Sequence, residues 1–162
     1  MAVLTYAARI DYAKELLSRT LHLAIGKGKA EWEDIPEKAE YEAVALVNEI
    51  GRKVLTRKFF VNEDDDGAIT MPGGRKYSVS ETPTRHLFLS CDFDYGEGVA
   101  EPIREVGIFK DTQLKSGFSG LREFFTPDKI QSSGTMIMLE HLTTTDIFTP
   151  TRKGTYSTVL TI

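Results

Sequence analysis

At 162 residues, with 41% hydrophobic and 27% charged side chains, the sequence has the size and balance of one soluble globular domain, residues 1–162. Its formal net charge of −4 runs against a dedicated nucleic-acid binder, which carries a basic face. No apolar run approaches the roughly 18 residues of a membrane span, so neither nucleic acid nor membrane is expected as a partner.

The single cysteine, Cys91, cannot form an internal disulfide, which suits folding in a reducing cytoplasm. It reads as a small buried hydrophobe. The start, Met1-Ala2-Val3-Leu4-Thr5-Tyr6, lacks the basic region and long apolar segment of a secretion signal.

In chain order, Tyr6, Ile10, Ala13, Leu17 and Leu21 recur at three- to four-residue steps and predict an N-terminal helix. The period then falls to two. Leu21, Leu23 and Ile25 alternate with His22 and Ala24, predicting a short strand that Gly26-Lys27-Gly28 ends. Residues 29–40 read as a polar loop carrying Trp32, Asp34 and Pro36. A second helix is expected from about Pro36, with Glu37, Glu40 and Glu42 at its positive end. Ala43, Val47, Ile50 and Val54 would form its apolar stripe, and Gly51 would mark its end.

Beyond residue 52 the pattern is mainly β. Val54–Val61 predicts a strand, the acidic run Glu63-Asp64-Asp65-Asp66-Gly67 a turn, and Ala68–Met71 the returning strand of a hairpin. Pro72-Gly73-Gly74 is a further turn, and Lys76–Ser80 a short strand. Arg85–Phe93 alternates clearly, with Leu87, Leu89, Cys91 and Phe93 on one face. Arg104–Lys110, Thr135–Leu142 and Thr155–Ile162 complete the predicted strands, while residues 111–133 show no regular period. The expected fold class is therefore α+β: a mostly antiparallel sheet or sandwich, with one or two helices in the N-terminal third. The helix-containing part would cover about 1–52 and the β-rich part about 53–162.

Few residues suggest chemistry. His22, His86 and His141 are far apart and fit no metal-ligand spacing. One cysteine cannot make a Cys-His zinc site, and there is no GxSxG nucleophile elbow. Gly26-Lys27-Gly28 is half of a dinucleotide fingerprint and reads as a turn. The run 63–66 lacks the alternating ligands and distal Glu of a calcium loop and reads as a solvated turn. The expectation is a protein without catalytic residues, cofactor or metal.

Three segments carry a resemblance: Leu23-Ala24-Ile25-Gly26-Lys27-Gly28 with Trp32, Asp34 and Pro36; Leu46-Val47-Asn48-Glu49-Ile50-Gly51-Arg52; and Pro102-Ile103-Arg104-Glu105-Val106-Gly107-Ile108-Phe109. In order and content, over about residues 20–110, they resemble the N-terminal domain of phage tail-collar fibre proteins. The chain departs from that pattern in lacking a second proline near Pro36 and a long shaft.

The resemblance implies a small structural part of a tailed phage's tail or baseplate, a connector joining tail or baseplate elements to fibres. Its partners would be other tail, baseplate or fibre proteins. It would be a homo-oligomer with threefold or sixfold symmetry, made and assembled in the host cytoplasm and located in the virion tail. Gly26, Gly28, Trp32, Asp34, Pro36, Glu49, Gly51, Arg52, Arg104, Glu105, Gly107 and Phe109 are the candidate interface or motif residues. Arg52, Arg104 and Glu105 suit ion pairs that lock the sheet or bridge subunits. Thr155–Ile162 is a candidate for adding a strand to a neighbour's sheet. The alternatives are a tail-completion or head–tail joining protein, a cell-envelope hydrolase and a small-ligand binding module.

Overall fold

The computed structural model describes residues 1–32, 37–97, 102–145 and 153–162. Its secondary structure is mainly antiparallel strand with a single α-helix, which is the α+β class the sequence predicts. Two compact units divide the chain, and each is built from separated pieces.

The first unit holds Met1–Arg19, Thr56–Ser90 and Ser157–Ile162. Its helix α1 (Tyr6–Ser18) starts at Thr5, whose hydroxyl accepts the Ala8 N–H at 3.2 Å as an N-cap. At the other end, the Lys58 ammonium donates to the Leu17 carbonyl at 2.8 Å and to the Arg19 carbonyl. A cation there satisfies carbonyls that the helix leaves unpaired. Ala13 and Leu16 are the helix's buried residues, whereas Tyr6 is exposed and Leu21 lies beyond the helix end. The inward face thus keeps Ala13 of the predicted stripe, with Ile10 and Leu17 half-buried, and adds Leu16.

The five-stranded sheet has the order β11 (Gly154–Thr161), β6 (His86–Phe93), β3 (Arg57–Glu63), β5 (Lys76–Val79), β4 (Ile69–Thr70). Strands β6 and β11 each contain residues of both units. Val61, Tyr77 and Phe88 form the core of this sheet, with Phe59, Ile69, Met71 and Val159 packed on it. The predicted hairpin is corrected here. Ile69–Thr70 pairs with Lys76–Val79, and it is the latter that pairs with β3 (Val61 opposite Val79). The turn at 71–75, closed by the Met71 N–H on the Arg75 carbonyl at 2.8 Å, joins β4 to β5, and β5 covers the β3 edge.

The second unit holds Thr20–Leu55 and Cys91–Tyr156. Its four-stranded sheet has the order β10 (Thr135–Thr145), β7 (Ile103–Lys110), β1 (Leu21–Gly26), β2 (Glu49–Val54), and each neighbouring pair is antiparallel. Every residue of β1 is buried, so its alternation of types does not mark a wet face. A small ribbon, β8 (Gln113–Leu114) with β9 (Ile130–Ser132), lies in the stretch that shows no period.

The predicted second helix does not form. Residues 37–48 are irregular, and 49–54 are strand β2 on the edge of β1. Val47, which the helix would have turned inward, is exposed. Pairing with the wholly buried β1 satisfies the backbone of 49–54, and that outweighs a weak helical stripe. Gly51 lies inside the strand instead of ending a helix.

Candidate functional site

The three segments that carry the resemblance converge in the second unit. Gly26 lies opposite Glu105 in the β1–β7 pair, and Gly26 lies opposite Glu49 in the β1–β2 pair. Strand order alone therefore places the loop after β1, the start of β2 and the start of β7 side by side.

Glu105 is fully buried and sits at the centre. Its Oε1 accepts the N–H of Gly28 at 3.1 Å and of Asn48 at 2.7 Å, and its Oε2 accepts the N–H of Val47 at 2.9 Å. One carboxylate thus pins both ends of the connection between β1 and β2. Hydrogen bonds to a charged acceptor stabilise by about 1.5–3 kcal/mol each, which is how a buried carboxylate is tolerated. Two backbone contacts reinforce it: Lys27 N–H donates to the Asn48 carbonyl at 2.9 Å, and Arg104 Nη1 donates to the Lys27 carbonyl at 3.2 Å.

The loop needs its glycines. Gly28 has φ +58°, and a Cβ there would lie 2.6 Å from the Trp32 ring. A Cβ on Gly26 would meet Glu105 Oε1 at 2.4 Å. Trp32 is buried in a 3₁₀ turn (Ala30–Trp32) and stacks on His141 of β10, with centroids 4.1 Å apart. Asp34 and Pro36 lie outside the described residues.

The same sheet holds a buried guanidinium. Arg52 donates through Nε and Nη2 to the two Glu49 oxygens at 2.7 and 3.1 Å, and through Nη1 to Thr112 Oγ1 at 2.9 Å and the Ser133 carbonyl at 2.7 Å. Its plane lies 3.6 Å over the Phe109 ring, a cation–π contact. Residues three apart in a regular strand face opposite ways. Here the register steps from Ile25–Gly51 to Gly26–Glu49, so Ile50 has no partner. That bulge restores Glu49 to the side of Arg52.

Gly51 gives the neighbouring chain room, since a Cβ would lie 2.4 Å from the Phe125 carbonyl oxygen. Arg52 and Phe125 exchange both backbone hydrogen bonds, at 2.8 and 2.9 Å. Gly107 is similarly close to Leu46 and Met136.

His22 completes the buried set. It lies edge-on to Phe125, and its Nδ1 has no hydrogen-bond partner among the described residues. Burial first and the Arg52 charge second push its pKa down to about 4, so it stays neutral at pH 7.

This arrangement commits its side chains to holding the fold. Arg52 and Glu105 are buried and hydrogen-bonded within the unit, while Trp32 stacks on His141 and Phe109 lies under the Arg52 guanidinium. Among the described residues, no cluster of three or more His, Cys, Asp or Glu side chains is arranged to hold a metal ion. The acidic run is an exposed turn in which Asp64 accepts from Asp66 N–H at 3.0 Å and from the Ser78 hydroxyl. These two bonds hold the Asp64 carboxyl below its ordinary pKa, the serine bond contributing most.

Sequence reading singled out Glu105 and Arg52 and, among their partners, Gly28, Glu49 and Phe109, but not Val47, Asn48, Thr112 or Ser133. Val47 and Asn48 act through backbone N–H groups, which leave no mark in a sequence. Phe125 could have been suspected, because adjacent Phe124 and Phe125 in an aperiodic stretch suggest chain packed on a core. Thr155–Ile162, expected as a strand for a neighbour, is paired with β6 within the chain. Tyr156 is buried and donates to Glu140.

Comparison with protein families gives one match over residues 1–162, to the model described as baseplate wedge 3 tail fiber network component. No curated protein matches the chain.

Proposed function

We propose that this chain, which belongs to the baseplate wedge 3 tail fiber network component family, is a connector in which protein–protein contacts join baseplate elements to tail fibres. Membership makes it a structural part of a phage baseplate, in the virion tail. The connector role, the homo-oligomeric state with threefold or sixfold symmetry, assembly in the host cytoplasm and the lack of a catalytic step belong to our reading.

The observation that carries this reading is the whole-chain match to a network component. The site supports it. The ionic groups that could have served acid–base work are engaged in holding backbone: Glu105 binds three amides, and Arg52 is occupied on every side. The motif residues then act on partners indirectly, by fixing the loop whose exposed Tyr41, Val44 and Val47 meet solvent. Large apolar side chains left exposed together are the usual material of an interface.

Phage grown without this chain and examined by electron microscopy tests the role. We expect particles with heads and tails joined but fibres missing from the baseplate. Normal fibres would overturn the connector, and unjoined heads and tails would favour a head–tail joining protein instead. Purified protein is expected to leave peptidoglycan and surface polysaccharide intact.

A further inference from the structure

The loop 115–126, between β8 and the 3₁₀ turn Pro127–Lys129, lies on the outer edge of β2. Among the described residues, the backbone bonds that join this loop to β2 are the two exchanged by Arg52 and Phe125. Much of the loop faces solvent: Leu121, Arg122 and Glu123 are exposed, Leu121 by 70%. Phe125 is the exception. It is 3% exposed, and with Phe118 edge-on to it at 5.6 Å it forms the loop's apolar plug.

Against the plug stands His22. The two rings lie edge-on at 5.6 Å, and His22 Nδ1 is buried with no hydrogen-bond partner among the described residues. An imidazolium donates from both ring nitrogens, and here one of them has no acceptor. The charged group that faces His22 is Arg52 of β2, which repels a second positive charge, and Arg52 is itself bonded to Glu49. The residues opposite His22 in the two ladders, Val54 and Phe109, carry no charge.

Charging His22 therefore requires water to reach it. The strands on either side, β2 and β7, are held to β1 by continuous ladders. The loop is held to β2 by one pair of backbone bonds and its aromatic contacts, so its departure is the least costly opening.

We propose that the loop 115–126 is an acid-opened cover of the β2 edge, with His22 as its trigger: protonation of His22 expels Phe125 and frees the Arg52 N–H and C=O. The sign follows from burial. The His22 pKa is about 4 in the closed state and returns toward 6.5 once the ring is wet, so the open state takes the proton first as pH falls. At pH 7 the cover stays shut. Acid bares a sheet edge, the kind of surface to which a further strand can add.

Site-resolved amide exchange of the full chain in dilute urea tests this. The reporters are the Arg52 and Phe125 N–H groups, which donate across the bridge. We expect them to exchange by a route insensitive to dilute urea, as local opening is, while amides of the β1–β7 ladder exchange with global unfolding. Corrected for intrinsic rates, the local route should gain at least about tenfold between pH 7 and pH 5, from the proton linkage of His22. His22→Gln should abolish the gain, and so should His22→Leu. His86→Gln, in the first unit, should keep it. Reporters that respond to urea as the β1–β7 amides do would overturn the cover as a separate opening. A gain that persists in both His22 variants would pass the trigger to a carboxylate such as Glu49, and a gain lost in His86→Gln would pass it to the first unit; either result would overturn the role of His22.

Discussion

The two units bury different kinds of polar group. Among the described residues, the first buries Thr84, His86 and Ser90, none of which need carry charge. The second buries His22, Arg52, Lys53, Arg104 and Glu105. The first is held as an ordinary sheet is held, by Val61, Tyr77 and Phe88 beneath its strands. The second has an apolar core of its own, around Ala24, Leu46 and Phe109, but sets charges against it. Charge is buried where a connection needs more than apolar packing. Hydrophobic contact is non-directional, whereas a carboxylate accepting three N–H groups fixes a backbone path.

Removing the central carboxylate should have the largest consequence. Glu105→Ala leaves three part-buried N–H groups without their acceptor and is expected to cost about 3–5 kcal/mol, read from urea unfolding. Glu105→Gln should cost less, since its oxygen can still serve Gly28 and Asn48 while its NH₂ faces Val47. A loss under 1 kcal/mol for the alanine variant would mean that apolar packing alone holds the connection.

A smaller effect comes from pH. His22 has a folded pKa of about 4 against an ordinary value of 6.5, so the unfolded chain binds the proton first as pH falls. Its contribution is complete above pH 6.5 and is lost as pH drops toward 4, in all on the order of 3 kcal/mol. His86, in the first unit, is shifted the same way by burial and then by Arg85, and acts in the same direction. Urea midpoints from pH 7 to 4 should therefore fall for the parent and fall less for His22→Gln. Equal slopes would count against a buried neutral His22.

The smallest effect is expected in the acidic turn. Asp65 is exposed and only bounds an open surface, so Asp65→Asn should leave the thermal midpoint unchanged within error. Calcium should not raise it. A calcium-dependent rise would turn that turn into a binding loop and overthrow the contrast with Glu105.

The legibility of the molecule follows the same division. Strands β1, β6, β7, β10 and β11 were readable because β-branched and apolar residues recur in them at short spacing. The false helix at 36–54 came from a spacing that fits both periods, and only pairing with β1 decides between them. The hairpin was misassigned because sequence shows where a turn lies but not which edge the returning strand takes. The motif glycines, Arg52 and Glu105 were visible as types in a familiar order. Their joint arrangement depends on the unpaired Ile50 and on the backbone N–H groups of Val47 and Asn48, neither of which a side-chain pattern encodes.

The chain visits each unit more than once: the first is assembled from three stretches and the second from two. A contiguous stretch of gene that encodes all of the second unit, from codon 20 to codon 156, also carries residues 56–90 of the first. Recombination between related phages can exchange whole contiguous segments, yet no single such exchange transplants one unit and leaves the other untouched. The pair is therefore inherited together, and divergence of one must proceed by substitutions that the other tolerates.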